Sequence, residues 1–281
     1  MKQINFYNDF SFKVSNLVIK NYSTSFYLSS LFFEKNVRKA IFSIYGFVRI
    51  ADEIVDSFLN TNQEEIINDL EKEVYKSLEI GISINPIINS FILTVKEFNI
   101  DIELIKAFLK SMKQDLFKKE YLSSNELKEY VYGSAEVIGL MCLKIFTHQK
   151  PDLYEELKNY AIKLGSAFQK INFLRDLNYD LLTLGRKYFP NIDFSNFKEE
   201  DKDKIICEIE KELHEAKEGI KKLPNNSKLA VWIAYNFYNK LLDKIKKTPA
   251  SEILKKRLRI SNFYKFYLIL KSYLEYKLKL I

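Results

Sequence analysis

The chain of 281 residues is poor in the residues that interrupt regular structure, with only seven glycines and five prolines. Average usage is about 7% glycine and about 5% proline, so both are well below expectation. Because proline and glycine disfavour helix interiors, their scarcity predicts a mostly α-helical protein. Hydrophobic residues make up 47% of the chain and aromatic residues 15%, which is ample material for one large core.

Cysteine and histidine are also scarce, with two of each. Cys142 and Cys207 are far apart and have no CxxC spacing, which excludes a disulfide scaffold and a thiolate zinc site and indicates a reducing compartment. His148 and His214 have no companions at ligand spacing, so structural or solvent-facing roles are expected for both. A metal site in this chain would have to use oxygen ligands.

Long hydrophobic runs are missing as well. No stretch reaches the roughly 18 apolar residues that a transmembrane helix needs, so none is expected. The first residues, MKQINFYNDF, lack the apolar core of a signal peptide. Together these features predict a cytoplasmic protein.

Arginine is rare, since only six of the 44 basic residues are arginine and the rest are lysine. Lysine spread over solvated faces accounts for the net charge of +7, and no nucleic-acid partner is expected without a groove of clustered basic and stacking residues. Two windows, residues 38–56 and 172–190, hold four arginines. Because a guanidinium grips phosphate in bidentate fashion, this placement indicates phosphate binding. The four are Arg38, Arg49, Arg175 and Arg186.

The same two windows contain paired aspartates. Asp52 and Asp56 are four residues apart in RIADEIVDS, and Asp176 and Asp180 are four apart in NFLRDLNYD. Residues at this spacing share one helix face, where like charges repel each other. Two such pairs within apolar segments therefore indicate a bound cation.

Each aspartate pair continues a polar stripe on an otherwise apolar helix. Tyr45 and Arg49 precede the first pair on the same face, and Gln169 and Asn172 precede the second. Such stripes are expected to line an interior cavity, with carboxylates facing each other across it; the alternative is two solvated acidic faces. Oxygen ligands of this kind suit Mg²⁺, which commonly binds one or two carboxylates together with substrate phosphates.

The breaks in the helical pattern predict one helical domain over residues 1–281, without repeats or linkers. Interruptions are expected from Gly81 to Pro86 and from Gly185 to Phe197. Helices are predicted over residues 9–20, 22–34, 36–58, 64–79, 87–97, 101–118, 123–147, 152–183, 199–222, 227–246 and, as one helix or a pair, 250–280.

Three segments, in order along the chain, carry the motifs of a known enzyme family. They are SFYLSSLFFEKNVRKAIFSIYGFVRIADEIVD, YVYGSAEVIGLMCLKIF and GSAFQKINFLRDLNYDLLTLGRKYFP. In these segments the chain resembles the head-to-head isoprenyl synthases, the squalene and phytoene synthases, over nearly its whole length. The resemblance implies an all-α, single-domain class I isoprenoid synthase fold, a helical bundle around a central cavity.

The resemblance also implies roles for individual side chains. The implied catalytic residues are Asp52, Asp56, Asp176, Asp180 and Tyr130. The implied ligands of Mg²⁺, which Mn²⁺ could replace, are the same four aspartates and Asn172. The implied diphosphate-binding residues are Tyr45, Arg49, Gln169, Asn172, Arg175, Arg186 and Tyr188, of which the last two would close the site from the following loop.

Two glutamates depart from the family pattern. Glu53 stands where many members have a third aspartate, and it is a further candidate metal ligand. Glu136 stands where many have a small residue. It is expected either on the helix surface or in the cavity, where it would alter the polarity.

The activity implied by the resemblance is condensation of two prenyl diphosphates, foremost two geranylgeranyl diphosphates to phytoene through a cyclopropylcarbinyl diphosphate. Squalene or dehydrosqualene formation from farnesyl diphosphate is the first alternative, and NADPH is needed only for squalene. A head-to-tail prenyltransferase or terpene cyclase, or a non-catalytic assembly factor, are further alternatives. Apolar walls must keep water from the carbocation. The candidates for them are Phe26, Phe42, Phe168 and Phe173.

The C-terminal segment RLRISNFYKFYLILKSYLEYKLKLI mixes basic with large apolar residues. This pattern predicts weak contact with an anionic membrane surface, so the protein is expected to be cytoplasmic or peripheral to the inner face of the membrane. The alternative is a terminal helix that packs on the body of the protein with its lysines in solvent.

Overall fold

Long α-helices make up most of the fold, as the scarcity of helix breakers predicts. The computed structural model describes residues 2–281, and in this part of the chain there are thirteen α-helices and no β-strand, only an isolated bridge between Glu120 and Lys187. The helices are α1 (Lys2–Tyr22), α2 (Thr24–Ser30), α3 (Lys35–Ser57), α4 (Gln63–Ile80), α5 (Pro86–Glu97), α6 (Ile102–Phe117), α7 (Ser124–Val131), α8 (Val137–Phe146), α9 (Pro151–Tyr179), α10 (Glu199–Lys222), α11 (Lys228–Lys247), α12 (Ala250–Ile253) and α13 (Asn262–Lys277).

The first two helices differ most from the sequence prediction. Helix α1 begins at Lys2 instead of residue 9, and α2 ends at Ser30 instead of residue 34. Ser23 separates these helices because its hydroxyl oxygen accepts a hydrogen bond from the backbone N–H of Phe26, which caps α2. The segment 250–280 is a pair of helices, α12 and α13, which was one of the two predicted arrangements.

Two predicted long helices each contain a π-helical turn. The turn Tyr132–Glu136 joins α7 to α8, and the turn Asp180–Leu184 follows α9 and ends at Gly185, whose φ of +66° stops the helix. Such turns insert an extra residue and occur frequently at functional sites. The second turn carries Asp180, so the last aspartate of the second pair lies just beyond regular α-helix.

Helices α3 and α9 form the centre of the bundle. Helix α3 packs against α1 and α5, and α9 packs against α8 and α10. The approach of α8 to α9 depends on glycine, because a Cβ at Gly139 would lie 2.9 Å from the carbonyl oxygen of Ala161. None of the helices within residues 2–281 combines the length and the apolar character required to cross a bilayer.

Candidate active site

A cavity of about 850 Å³ runs along α3 and α9. It is lined on α9 from Leu157 to Arg175, which are 18 residues apart and therefore separated by about 27 Å along the helix axis. Phe33 and Phe146, whose rings stack at 5.3 Å, line its apolar end. The side chains that line its polar end include Tyr45, Arg49, Asp52, Tyr130, Gln169, Asn172 and Arg175. Seven of the residues implied by the resemblance thus share one cavity.

The α3 stripe carries a network of ion pairs. Arg49 Nη1 donates to Asp52 Oδ2 at 2.7 Å, and the guanidinium also binds Glu53. Burial raises the pKa of Asp52 to about 7, and repulsion from Asp56 adds to this effect against the attraction of Arg49. Burial also opposes ionisation of Glu53, but its hydrogen bonds to Arg49 and Ser57 outweigh this and lower its pKa. Glu53 is therefore paired with Arg49 and does not line the cavity.

The second aspartate pair lies beside the first. Arg175 Nη2 donates to Asp176 Oδ2 at 2.5 Å, and Arg257 Nε lies 2.7 Å from Asp176 Oδ1. Burial and repulsion from the carboxylates of Asp176 and then Asp56 raise the pKa of Asp180 to about 8. Asp56 belongs to α3 and Asp180 follows α9, so the two pairs lie near each other, but of the four aspartates only Asp52 lines the cavity.

Arg186 lies behind the carboxylates. Only 3% of its surface is exposed, and its Nη1 donates to Asp56 Oδ1 at 2.6 Å. Its Nη2 donates to the backbone carbonyl oxygens of Val55 at 3.2 Å and Asp115 at 3.3 Å. This side chain thus ties α3 and α6 together beneath the aspartates. It does not line the cavity, and its expected part in closing the site stays a prediction.

Asp115 is a fifth carboxylate of the site, which the sequence analysis missed. It is 3% exposed, and the Tyr130 hydroxyl donates to its Oδ2 at 2.9 Å. Burial raises the pKa of Asp115 to about 7, against the attraction of Arg186. Its Oδ1 is buried without a hydrogen-bond partner in the described residues. The available signal was a lone aspartate on the face of α6 that also carries Phe108 and Met112.

Tyr188 also lies behind the site, in a stack of aromatic rings. Its ring centroid is 3.9 Å from that of Phe173 and 5.5 Å from that of Tyr130. Tyr121 joins the same stack. Tyr188 is buried and does not line the cavity, and the stack fixes the orientation of Tyr130. The diphosphate contact of Tyr188 stays a prediction.

The cavity walls match the expected aromatic residues only in part. Phe26 and Phe168 line the cavity, and Phe168 stacks on Tyr238 with 3.8 Å between ring centroids. The prediction for the other two phenylalanines was wrong. Phe42 packs against Tyr27, and Phe173 belongs to the stack behind the site. Each ring therefore lies on a face of its helix that does not line the cavity.

Two further arginines lie at the polar end of the cavity. Arg257 and Arg259 belong to the extended segment before α13, and both line the cavity. Arg38 was counted with the site arginines, but its guanidinium binds the carbonyl oxygen of Leu31 and lies outside the cavity lining. The sequence windows therefore included one arginine too many and missed two that a distant segment brings in.

The side chains of the site fit a hard divalent cation in their chemistry. Within residues 2–281, no three His, Cys, Asp or Glu side chains are arranged as a preformed metal site. Asp52, Asp56 and Asp176 are held by arginine instead, and repulsion between carboxylates adds to the effect of burial in raising the pKa of Asp52 and Asp180. A bound Mg²⁺ ion would stabilise carboxylates that otherwise repel one another. The ligand set of four aspartates and Asn172 stays a prediction.

Glu136 faces away from the cavity. It is half-buried and lines a second pocket of about 900 Å³ between α6, α7, α9 and α10. Burial raises its pKa to about 7, Glu212 adds to the shift, and Lys170 and Lys163 oppose it. Neither expected position was correct, because Glu136 lies neither in the catalytic cavity nor on the open surface of its helix.

Replacing Glu136 with Gln is expected to stabilise the protein at pH 8 and to do so much less at pH 5. A carboxyl group whose folded pKa lies above its unfolded value stabilises the fold while protonated, and this contribution is lost as the pH rises towards about 7. Glutamine removes that loss. Thermal melts of both proteins at the two pH values measure the difference, and Glu129→Gln in the exposed part of α7 is the control. An equal change at both pH values would contradict the assignment.

The comparisons with known proteins agree with this arrangement. Residues 19–264 match the sequence model of the family described as squalene/phytoene synthase. The phytoene synthase of Arthrospira platensis is 28% identical over 261 residues, which cover 84% of each chain. The 15-cis-phytoene synthase of Synechocystis sp. is 27% identical over 84% of this chain and 76% of its own.

Solved structures share the fold at lower identity. A dehydrosqualene synthase in complex with a ligand superposes with a TM-score of 0.81 at 21% identity, over 96% of this chain and 98% of the other. Squalene synthase HpnC from Alicyclobacillus acidocaldarius superposes with a TM-score of 0.73 at 19% identity, over 84% of this chain and 93% of the other. The predicted all-α bundle around a central cavity is therefore confirmed.

Proposed function

This chain belongs to the squalene/phytoene synthase family, and we propose that, among the reactions of that family, it converts two geranylgeranyl diphosphates to phytoene. As a member it is a prenyltransferase that condenses two prenyl diphosphates head to head. Phytoene synthases at 28% and 27% identity support phytoene as the product. The observation that carries the proposal is a long apolar cavity with arginines and Asp52 at one end, where Arg175 and Arg257 also bind Asp176.

The polar end of the cavity suits the diphosphate groups. Arg49, Arg175 and Arg257 present guanidinium groups there, and these can bind phosphate oxygens in bidentate fashion. Asp52, Asp56, Asp176, Asp180 and Asn172 would hold the divalent metal that the family generally uses, here proposed to be Mg²⁺. The metal supplies positive charge that stabilises the departing diphosphate. Tyr45, whose pKa burial raises to about 12, stays protonated and can donate a hydrogen bond.

The apolar length of the cavity suits the prenyl chains. Phe26, Phe168 and the stacked ring of Tyr238 form the wall next to the polar end, and Phe33 and Phe146 line the other end. These side chains exclude water, which would otherwise trap an allylic carbocation as an alcohol. Tyr238 also donates to Asn172 Oδ1 at 3.1 Å, which orients the amide of a proposed metal ligand.

The product assay tests the proposal directly. Purified protein is incubated with Mg²⁺ and either geranylgeranyl or farnesyl diphosphate, with and without NADPH, and the hydrocarbons are identified by mass spectrometry. Phytoene from geranylgeranyl diphosphate is expected, in equal amount with and without NADPH. Mn²⁺ in place of Mg²⁺ tests the choice of metal.

Squalene or dehydrosqualene formation is the second candidate, because the solved structures that share the fold include a dehydrosqualene synthase and a squalene synthase. In the same assay, this candidate predicts a hydrocarbon from farnesyl diphosphate and none from geranylgeranyl diphosphate. A requirement for NADPH would identify the hydrocarbon as squalene. Release of diphosphate from neither substrate would favour a non-catalytic assembly factor. The presence of all four aspartates supports catalysis over that alternative.

A further inference from the structure

Helix α13 has an apolar face that no other part of the described chain covers. Its large exposed side chains follow the spacing i, i+3, i+4, i+7, i+10 and i+11, which is one face of a helix. Their exposed fractions range from 40% to 84%. We call them the α13 stripe: Phe263, Phe266, Tyr267, Leu270, Tyr273 and Leu274.

The opposite face of α13 attaches the helix to the protein through Leu268, which packs with Leu229, Ile233 and Phe237 of α11, and through polar contacts. The Lys265 ammonium donates to Thr24 Oγ1 at 2.5 Å, and Asn236 donates to Ser272 Oγ at 2.8 Å. Trp232 Nε1 donates to Glu275 Oε2 at 2.7 Å. The inward face of α13 thus already buries apolar side chains, and the exposed α13 stripe is a second apolar face of the same helix. An exposed apolar surface of this kind marks an interaction site.

The charge of the protein is concentrated around this face. Residues 255–281 contain eight lysines and arginines and one glutamate, a net charge of +7. The rest of the chain holds the remaining 36 of the 44 basic residues and 36 of the 37 acidic residues, and is neutral. Because acidic residues balance the basic residues elsewhere, the net positive charge is concentrated in this one segment.

The charged segment is continuous with the catalytic cavity. Arg257, Arg259 and Asn262 line the cavity, and Phe263, the first residue of the α13 stripe, follows directly. The cavity lining also includes Tyr22 at the end of α1, whose side chain is exposed. The segment that lines the cavity at Arg257, Arg259 and Asn262 thus runs directly into the apolar stripe.

We propose that the α13 stripe and its flanking lysines dock this protein on an anionic lipid bilayer, with the cavity opening turned towards the lipid. Aromatic and aliphatic side chains would enter the headgroup region while lysines contact acidic headgroups. A second copy of the chain is a poor occupant, because two segments of charge +7 would face each other. The use of the opening by prenyl substrates and hydrocarbon product rests on the proposed function; the docking surface does not.

The test is co-sedimentation with vesicles. The full chain is mixed with vesicles of phosphatidylcholine alone or with added phosphatidylglycerol, and partition is measured at low and high salt. Partition at least about tenfold stronger on the anionic vesicles is expected, weakening with salt. Replacing Lys271, Lys277 and Lys279 with Gln should reduce it about a hundredfold, from about a fivefold loss for each lysine. Replacing Phe263, Phe266 and Leu270 with Ser should also reduce it at least about tenfold.

The matched control removes three exposed lysines elsewhere. Lys72, Lys76 and Lys106 on α4 and α6, changed to Gln, should leave vesicle binding unchanged apart from a small general charge effect. Equal partition on both vesicle types, or a loss no larger in the α13 variants than in this control, would overturn the proposal. The proposal would also be overturned if sedimentation velocity showed a dimer of the unchanged protein and a monomer of the variant with serine at Phe263, Phe266 and Leu270. Diphosphate release in detergent, measured in parallel, reports the catalytic function separately.

Discussion

Asp52→Asn and Asp176→Asn are each expected to lower kcat by at least about a thousandfold, which corresponds to about 4 kcal/mol of lost transition-state stabilisation. Each change removes a negative charge from the converging pairs, and with it a proposed metal ligand. The Asp176 variant also leaves Arg175 and Arg257 without their shared carboxylate. Release of diphosphate from the accepted prenyl substrate measures the effect.

The same variants should keep the fold. The Asp52 side chain is partly exposed and accepts a hydrogen bond from Arg49, and asparagine has the same size and keeps an oxygen that can accept it. Asp69→Asn on the exposed face of α4 is the control and should retain full activity. Near-normal turnover by either site variant would refute the assignment of these aspartates. If the melting temperature of a variant fell as well, its loss of activity would be explained by misfolding.

The sequence alone predicted the two central helices and their polar stripes. Tyr45, Arg49 and Asp52 lie at helical spacing within α3, so the geometry of one helix was sufficient to place them on one face. The same holds for Gln169 and Asn172 on α9. Of the side chains predicted from spacing on a single helix, these five line the cavity, whereas Asp56, Asp176 and Asp180 lie outside its lining.

The rest of the site depends on contacts between distant segments, which spacing cannot reveal. Asp115 joins the aspartates only because α6 packs beside α3, and Arg257 reaches Asp176 only because the segment after α12 crosses the cavity opening. Aromatic residues were equally ambiguous, since Phe26 and Phe42 both occur in apolar patterns. Which of them faces the cavity depends on how α2 and α3 are rotated against their neighbours.

Arg186→Met is expected to destabilise the protein by about 3–5 kcal/mol, or roughly 10 °C in the melting temperature. Methionine keeps most of the volume but removes the ion pair with Asp56 and the hydrogen bonds to the carbonyl oxygens of Val55 and Asp115. Because Arg186 is 3% exposed, water cannot replace it. Lys187→Met, one residue later and half exposed, is the control and should change stability little.

The destabilisation should grow as the pH rises. Arg186 opposes the effect of burial on Asp115 and Asp180, whose pKa values are raised to about 7 and about 8 even in its presence. Without the guanidinium both values rise further. Carboxyl groups with raised folded pKa values bind more protons in the folded than in the unfolded state, so stability falls as these groups ionise. Below about pH 6 both proteins carry them protonated, and only the lost hydrogen bonds separate the two. Denaturant unfolding at pH 6 and pH 8.5 measures this difference, and a gap that stayed constant would show that Arg186 acts through packing and hydrogen bonds rather than by holding the aspartates together.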